Sequence, residues 1–195
     1  MPKTPGVFCL EADWCGLVHP MSMRPVLELM KSSDARVPYV LRDVATRAEI
    51  EFYLRRWFQT RYKQFDLLWF AIHSRPAELL PGDMRVPFER ISLDDLETLL
   101  AGRCRGRIIH FSGCRFLKVP HARLTQFLKR TGALCISGFT GEVPWLEATI
   151  FETYWLTMLH YEKRNTTGVK AALKLMRREQ QPLCRKFGFV ARVRS

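Results

Sequence analysis

The sequence predicts an α/β fold, a three-layer αβα sandwich on a mainly parallel sheet of about six strands. Three observations predict it. Strand-like and helix-like segments alternate five times along the chain, the pattern of parallel strands joined by crossover helices. The third strand-like run, "DLLWFAIH" (66–73), is apolar at every position between its acid and its histidine, as a central strand covered on both faces must be. Helix-start and helix-stop residues fall between the runs where such an alternation needs them.

The elements follow in order. "GVFCLEA" (6–12) reads as the first strand, and a helix is expected from Met23 to Ser32. "VPYVLRDV" (37–44) is the second strand, with Pro38 near its start, where a missing donor costs least. Thr46 with Glu49 three residues on forms a capping box for a helix expected to reach about Lys63, its apolar Ile50, Tyr53, Leu54, Trp57 and Phe58 at helical spacing. After the third strand, "SRPAELLPGDMRVPFERI" is rich in Pro and Gly and reads as a loop or small hairpin. Ser92 caps a helix through about Ala101, with Asp94 and Asp95 in its first turn.

"GRIIHFSG" (106–113) is the fourth strand. Pro120 opens the next helix and Gly132 closes it. "ALCISGF" is the fifth strand, followed by a helix from about Pro144 to Tyr161 and a last long one from Thr166 or Thr167 to around Lys186. "FGFVARV" then supplies a closing strand.

A chain of 195 residues is enough for one well-buried domain and short for two, so residues 1–195 are expected to form a single unit. No apolar run approaches the roughly 20 residues of a membrane helix, and the start "MPKTPGVFCLEADW" lacks the layout of a secretion signal, so a cytoplasmic location is expected. Cys9, Cys15, Cys104, Cys114, Cys135 and Cys184 are scattered through a chain with ample core, which points to reduced thiols. The net charge of +12 favours an anionic partner such as nucleic acid. The basic residues are dispersed over helices, however, and form no tail, so solvated helix faces account for most of them.

Function is most legible at two strand ends. "LLWFAIHS" ends on His73, and "RIIHFSGC" ends on Cys114. In an open parallel sheet, reactive groups gather beyond the carboxyl ends of the strands. Neighbouring strands lie about 4.8 Å apart, so adjacency of the third and fourth strands would bring imidazole and thiol together. A cysteine needs such help, being only a few per cent thiolate at neutral pH; Arg115 and the helix that follows Pro120 would add to it. Backbone N–H groups at Cys114 and near Ser74 are candidates for holding an oxyanion.

A metal site is the competing reading, because Cys104, His110, Cys114 and His121 fall within 18 residues. His110 and Cys114 would lie about 13 Å apart along a strand, too far to share one zinc, and no metal or organic cofactor is expected. His110 reads as a buried mid-strand imidazole. Trp14, Trp145 and Trp155 read as core rather than as a groove lining.

These residues resemble the caspase-like cysteine peptidases of clan CD, in particular the bacterial CHAT branch. In that clan an apolar strand ends in His-Gly and the next in a small residue followed by Cys; "LLWFAIHS" and "RIIHFSGC" match in order and spacing. "CISGFTGEVPWLEATIFETYWLTML" and "TTGVKAALKLMRRE" are similar to the CHAT stretch after the cysteine, an aromatic-rich helix and then an Ala-rich one. The resemblance implies a caspase-like sheet and a cysteine endopeptidase in which His73 is general base and acid and Cys114 the nucleophile. The backbone N–H groups of Cys114 and Ser74 would form the oxyanion hole.

The resemblance also implies that the end of the first strand and the position two before the cysteine line the specificity pocket. Those places hold Glu11 or Asp13, and Ser112, with Asp43 and Glu142 as further acidic candidates. An acidic lining suits cleavage after Arg or Lys. Two features depart from the pattern. "SGCRF" replaces the caspase Gln-Ala-Cys signature, and Ser74 stands where the family has glycine, which would strain a serine if the turn needs φ > 0. The expected partner is a protein or peptide substrate, with control by a regulatory partner protein, dimerisation or processing. The alternatives are a catalytically silent caspase-like partner-binding module and a basic α/β nucleic-acid-binding protein.

Overall fold

The computed structural model describes residues 4–14, 21–82 and 89–194. In chain order the elements are β1 (Val7–Glu11), α1 (Arg24–Ser32), β2 (Tyr39–Asp43), α2 (Arg47–Trp57), β3 (Leu67–Ala71), β4 (Ser74–Arg75), β5 (Glu78–Leu79), β6 (Ile91–Ser92), α3 (Leu93–Leu100), β7 (Ile108–Phe111), α4 (His121–Thr131), β8 (Cys135–Phe139), α5 (Trp145–Tyr161), α6 (Thr166–Glu179), α7 (Gln181–Phe187) and β9 (Phe189–Val193). Six strands form the central sheet in the order β2-β1-β3-β7-β8-β9. All pairings are parallel except β8 with β9. The predicted α/β sandwich is therefore observed, with the closing strand in place.

Alternation along the strands sorts the core into two layers. In β3, Leu67, Trp69 and Ala71 join a cluster with Leu27 and Met30 of α1, Phe151 and Trp155 of α5, and Val169 and Met176 of α6. Leu68, Phe70 and Ile72 face the other way, toward Ile50, Leu54 and Trp57 of α2, Leu96 of α3 and Phe127 of α4. The period of two thus places α1, α5 and α6 on one face and α2, α3 and α4 on the other.

Helix ends follow local chemistry. Both capping boxes form: Thr46 accepts from Glu49 N–H, and Ser92 accepts from Asp95 N–H. Gly132 closes α4 in the left-handed conformation, φ 76°. Two expected helices are shorter than predicted. The one after Thr46 stops at Trp57, because Gln59 is extended, and a 3₁₀ turn at Thr60–Tyr62 follows. The last helix is two, broken at Gln180; Pro182 stands at the start of α7, where it lacks the N–H that a continuous helix would use. The Pro/Gly-rich stretch contributes a small antiparallel sheet, β4-β5-β6.

Asp95 also joins α3 to α2, since Arg47 Nη2 donates to its carboxylate at 2.9 Å and Ser92 N–H at 2.9 Å. The Arg47 bond first, then those from Ser92, hold the Asp95 carboxyl down to about 2. A carboxyl depressed on folding contributes stability above its unfolded value of about 3.9 and loses it as pH falls through the folded value. Asp95→Asn is expected to flatten the loss of stability between about pH 4 and pH 2, read as the urea midpoint against pH. Parallel curves for the two proteins would refute the assignment.

Among the described residues no helix is long and apolar enough to cross a membrane. The five described cysteines are free; Cys15 lies outside the described residues.

Candidate active site

Strand parity and register bring His73 and Cys114 together. β3 and β7 are adjacent and parallel, with Trp69 opposite His110 and Phe70 opposite Phe111. Continuing that register by three residues sets His73 beside Cys114. Ile108 shares the α5 face with Leu67, Trp69 and Ala71, so His110, Ser112 and Cys114 share it by alternation. Both side chains are half-buried, and both line one cavity of about 210 Å³ at the carboxyl ends of the strands.

The turns that follow are fastened to each other. Ser74 Oγ donates to the Cys114 carbonyl at 2.8 Å, and Ala77 N–H to the Phe116 carbonyl at 3.1 Å. Phe116 is fully buried and stacks on Phe111, ring centroids 4.1 Å apart, a contact worth about 0.5–1.5 kcal/mol beyond its buried area. Ser74 lies in β4 and is not among the residues with positive φ, so the strain expected of a serine here is absent. The residues of these turns that do adopt the left-handed region are Ala77, φ 61°, and, directly after the cysteine, Arg115, φ 58°. Its N–H donates to the Gly141 carbonyl at 2.9 Å, and its guanidinium pairs with Glu142 at 2.7 Å. Arg115 is thus engaged with the loop after β8, and Glu142 with it.

His73 is oriented by the chain beyond β1. Its Nε2 lies 2.8 Å from the Trp14 carbonyl, and the Trp14 ring packs edge-on against the imidazole with centroids 4.8 Å apart. A carbonyl only accepts, so Nε2 carries the proton, and in the neutral ring Nδ1 carries the lone pair. Cys114 Sγ receives the Val143 N–H at 3.4 Å.

The cavity wall is aromatic and thioether: Trp14, Trp145, Met21 and Met23. The indole N–H groups of Trp14 and Trp145 are buried with no acceptor among the described residues. Beside His73 and Cys114, its polar side chains are Ser112, Thr149 and Glu152. Ser112 Oγ is held by Trp69 Nε1–H at 2.5 Å. Glu152, on α5, is 1% exposed and faces His110. The donors there run one way. Trp155 Nε1–H donates to Ser137 Oγ (3.2 Å), the Ser137 hydroxyl to His110 Nδ1 (2.8 Å), and His110 Nε2–H to Glu152 Oε1 (2.9 Å). The carboxylate is therefore an acceptor built into the cavity. His110 is the buried mid-strand imidazole expected, and Trp155 is core; Trp14 and Trp145, also expected as core, line the cavity instead.

Of the pocket residues proposed from sequence, Ser112 lines this cavity and the acidic ones sit elsewhere. Glu11, Asp13 and Asp43 line a second cavity of about 470 Å³ that shares Met21 with the first. Glu11 is 94% buried; it accepts from Ser22 Oγ at 2.7 Å and from Met23 N–H, fastening the entry to α1, and burial raises its carboxyl above the usual range. Glu152 was missed. Its signal was available as an acid in the apolar middle of a helix, which must find a partner.

No curated protein matches this sequence. Among solved structures the chain is similar to caspase-1 from Spodoptera frugiperda, with 11% identity over 82% of this chain and 69% of that chain and a TM-score of 0.49. A family model matches residues 5–191, nearly the whole length, and the chain belongs to the family of unknown function DUF6642.

Proposed function

We propose that this protein is a caspase-like cysteine endopeptidase that cleaves after a basic residue. The observation that carries the reading is the meeting of His73 and Cys114 at the ends of adjacent parallel strands, on one face and in one cavity. The chemistry follows from the orientation of the groups. His73 Nδ1 takes the thiol proton, and Cys114 Sγ forms a bond to the scissile carbonyl carbon as the carbonyl π pair moves to oxygen. The N–H groups of Cys114 and Ser74 would hold that oxyanion. Leu80 N–H bonds the His73 carbonyl, which leaves Ser74–Leu79 as the pair that exchanges no ladder bonds and turns Ser74 N–H away from β5. The C–N bond then breaks, the imidazolium gives its proton to the leaving amine, and water activated by His73 hydrolyses the thioester.

The cavity supports the basic preference through Glu152 in place of the acids first considered. At about 210 Å³ it is smaller than the roughly 300–1,000 Å³ of drug-sized ligand sites, which suits one long side chain. Two tryptophans along an aliphatic stem and a carboxylate within reach of its end match a lysine or arginine.

Two electrophilic peptidyl ketones, with Lys or Asp at the cleaved position, test both parts. The Lys probe is expected to label wild-type Cys114 and the Asp probe to fail. Glu152→Gln still accepts from His110 but lacks the charge, and is expected to slow the Lys probe about 30-fold, a loss of about 2 kcal/mol, while leaving iodoacetamide labelling unchanged. An unchanged Lys-to-Asp ratio in Glu152→Gln would remove Glu152 from the pocket. Labelling of wild type and Cys114→Ala alike would sink the peptidase reading itself.

A further inference from the structure

We infer that the free edge of β9 is a docking site for an extended acidic segment of a partner protein, which adds to the sheet as a seventh strand. β9 is the last strand of the sheet and, among the described residues, pairs only with β8. Arg194 N–H donates to the Leu134 carbonyl at 2.9 Å, and in the antiparallel register Arg192 and Val190 lie opposite Ile136 and Gly138. The even-numbered residues exchange bonds with β8, so the N–H and C=O groups of Ala191 and Val193 point off the sheet. Such an edge is a template for another strand.

The edge lies at the bottom of a trough of about 570 Å³ between the two helix layers, walled by α4 on one side and α6 on the other. Lys129, Lys170, Arg177, Arg192 and Arg194 line it, and none of the five is in an ion pair among the described residues. No carboxylate lines it among the described residues. With a net charge of +12 an unpaired cation is ordinary in this chain; what sets the trough apart is that five of them surround one strand edge with no carboxylate among its described lining, which marks the place of an anionic partner.

The trough decides which one. Leu128, Leu173 and Ala191 give it an apolar floor that takes alternate side chains of an added strand. Among the described residues no aromatic ring lines it, so they offer no platform on which the bases of a single-stranded nucleic acid would stack. A second copy of this chain would bring the same five cations against these five, since a two-fold interface pairs a patch with itself. An acidic strand from another protein satisfies the backbone edge, the cations and the floor together.

The test uses Cys114→Ala protein, so that turnover plays no part, and a fluorescein-labelled heptapeptide of alternating Glu and Val read by anisotropy. Saturable binding that weakens as salt rises is expected, with at least a tenfold loss in Arg177→Glu/Arg192→Glu, both exposed positions. N-methylation of the peptide at alternate residues, in the phase that faces β9, is expected to cost at least as much. Equal binding of the methylated peptide would overturn strand addition. An oligothymidylate bound as tightly and lost on the same charge reversal would overturn the choice of partner, as would a homodimer in sedimentation that the reversal dissolves.

Discussion

Cys114→Ala is expected to abolish cleavage of a Lys- or Arg-containing peptide amide, and His73→Ala to lower kcat/KM by a comparable factor, on the order of 10⁴ or more. The two residues depend on each other. The thiol becomes a nucleophile when Nδ1 receives its proton, and that nitrogen is free because the Trp14 carbonyl holds the proton on Nε2. Removing either partner removes one event, so the double variant should be no slower than the worse single variant. Both side chains are only half-buried at strand ends, so thermal midpoints should stay within a few degrees of wild type. Independent, multiplying losses would mean that the two residues act separately, and wild-type turnover that survives Cys114→Ala would remove the cysteine from the chemistry.

The pair was legible because a strand writes its geometry into sequence with period two. "LLWFAIHS" and "RIIHFSGC" are apolar runs whose polar ends sit in matching phase, so adjacency alone suffices to place both on one face. The layers were legible for the same reason, and the capping residues Thr46, Ser92 and Gly132 because a cap is a local bond between near neighbours. The pocket was not, because it joins residues far apart in sequence. Glu152 lies 42 positions from His110, and each looks like an isolated polar intrusion into an apolar run. Two such intrusions on facing elements are each other's most economical partner, since a buried charge without one costs several kcal/mol. That rule would have chosen Glu152 over Glu11, whose carboxylate the structure uses to hold Ser22 and Met23. The break between α6 and α7 was legible at Pro182, and continuing the helix through it overrode the missing donor.

Gly113→Ala is expected to destabilise the protein by about 2–3 kcal/mol, roughly 4–10 °C in thermal midpoint, and to slow Cys114 labelling. A Cβ at 113 would sit 2.1 Å from Ser74 Oγ and 2.6 Å from both Ser74 Cβ and the Ile72 carbonyl oxygen. Ser74 thus occupies the space that the glycine leaves. The two residues are complementary in volume, and the serine hydroxyl donates to the Cys114 carbonyl. Ser74→Gly alone should cost about 1–2 kcal/mol, one hydrogen bond plus the added freedom of a glycine. Ser74→Gly/Gly113→Ala removes two of the three clashes and leaves only the one with the Ile72 carbonyl, so it should be more stable than Gly113→Ala by about 1 kcal/mol despite carrying an extra change. A double variant as unstable as the sum of the singles would show that Ser74 does not fill the glycine's place. The hydrogen bond to the Cys114 carbonyl would then stand as the serine's whole contribution.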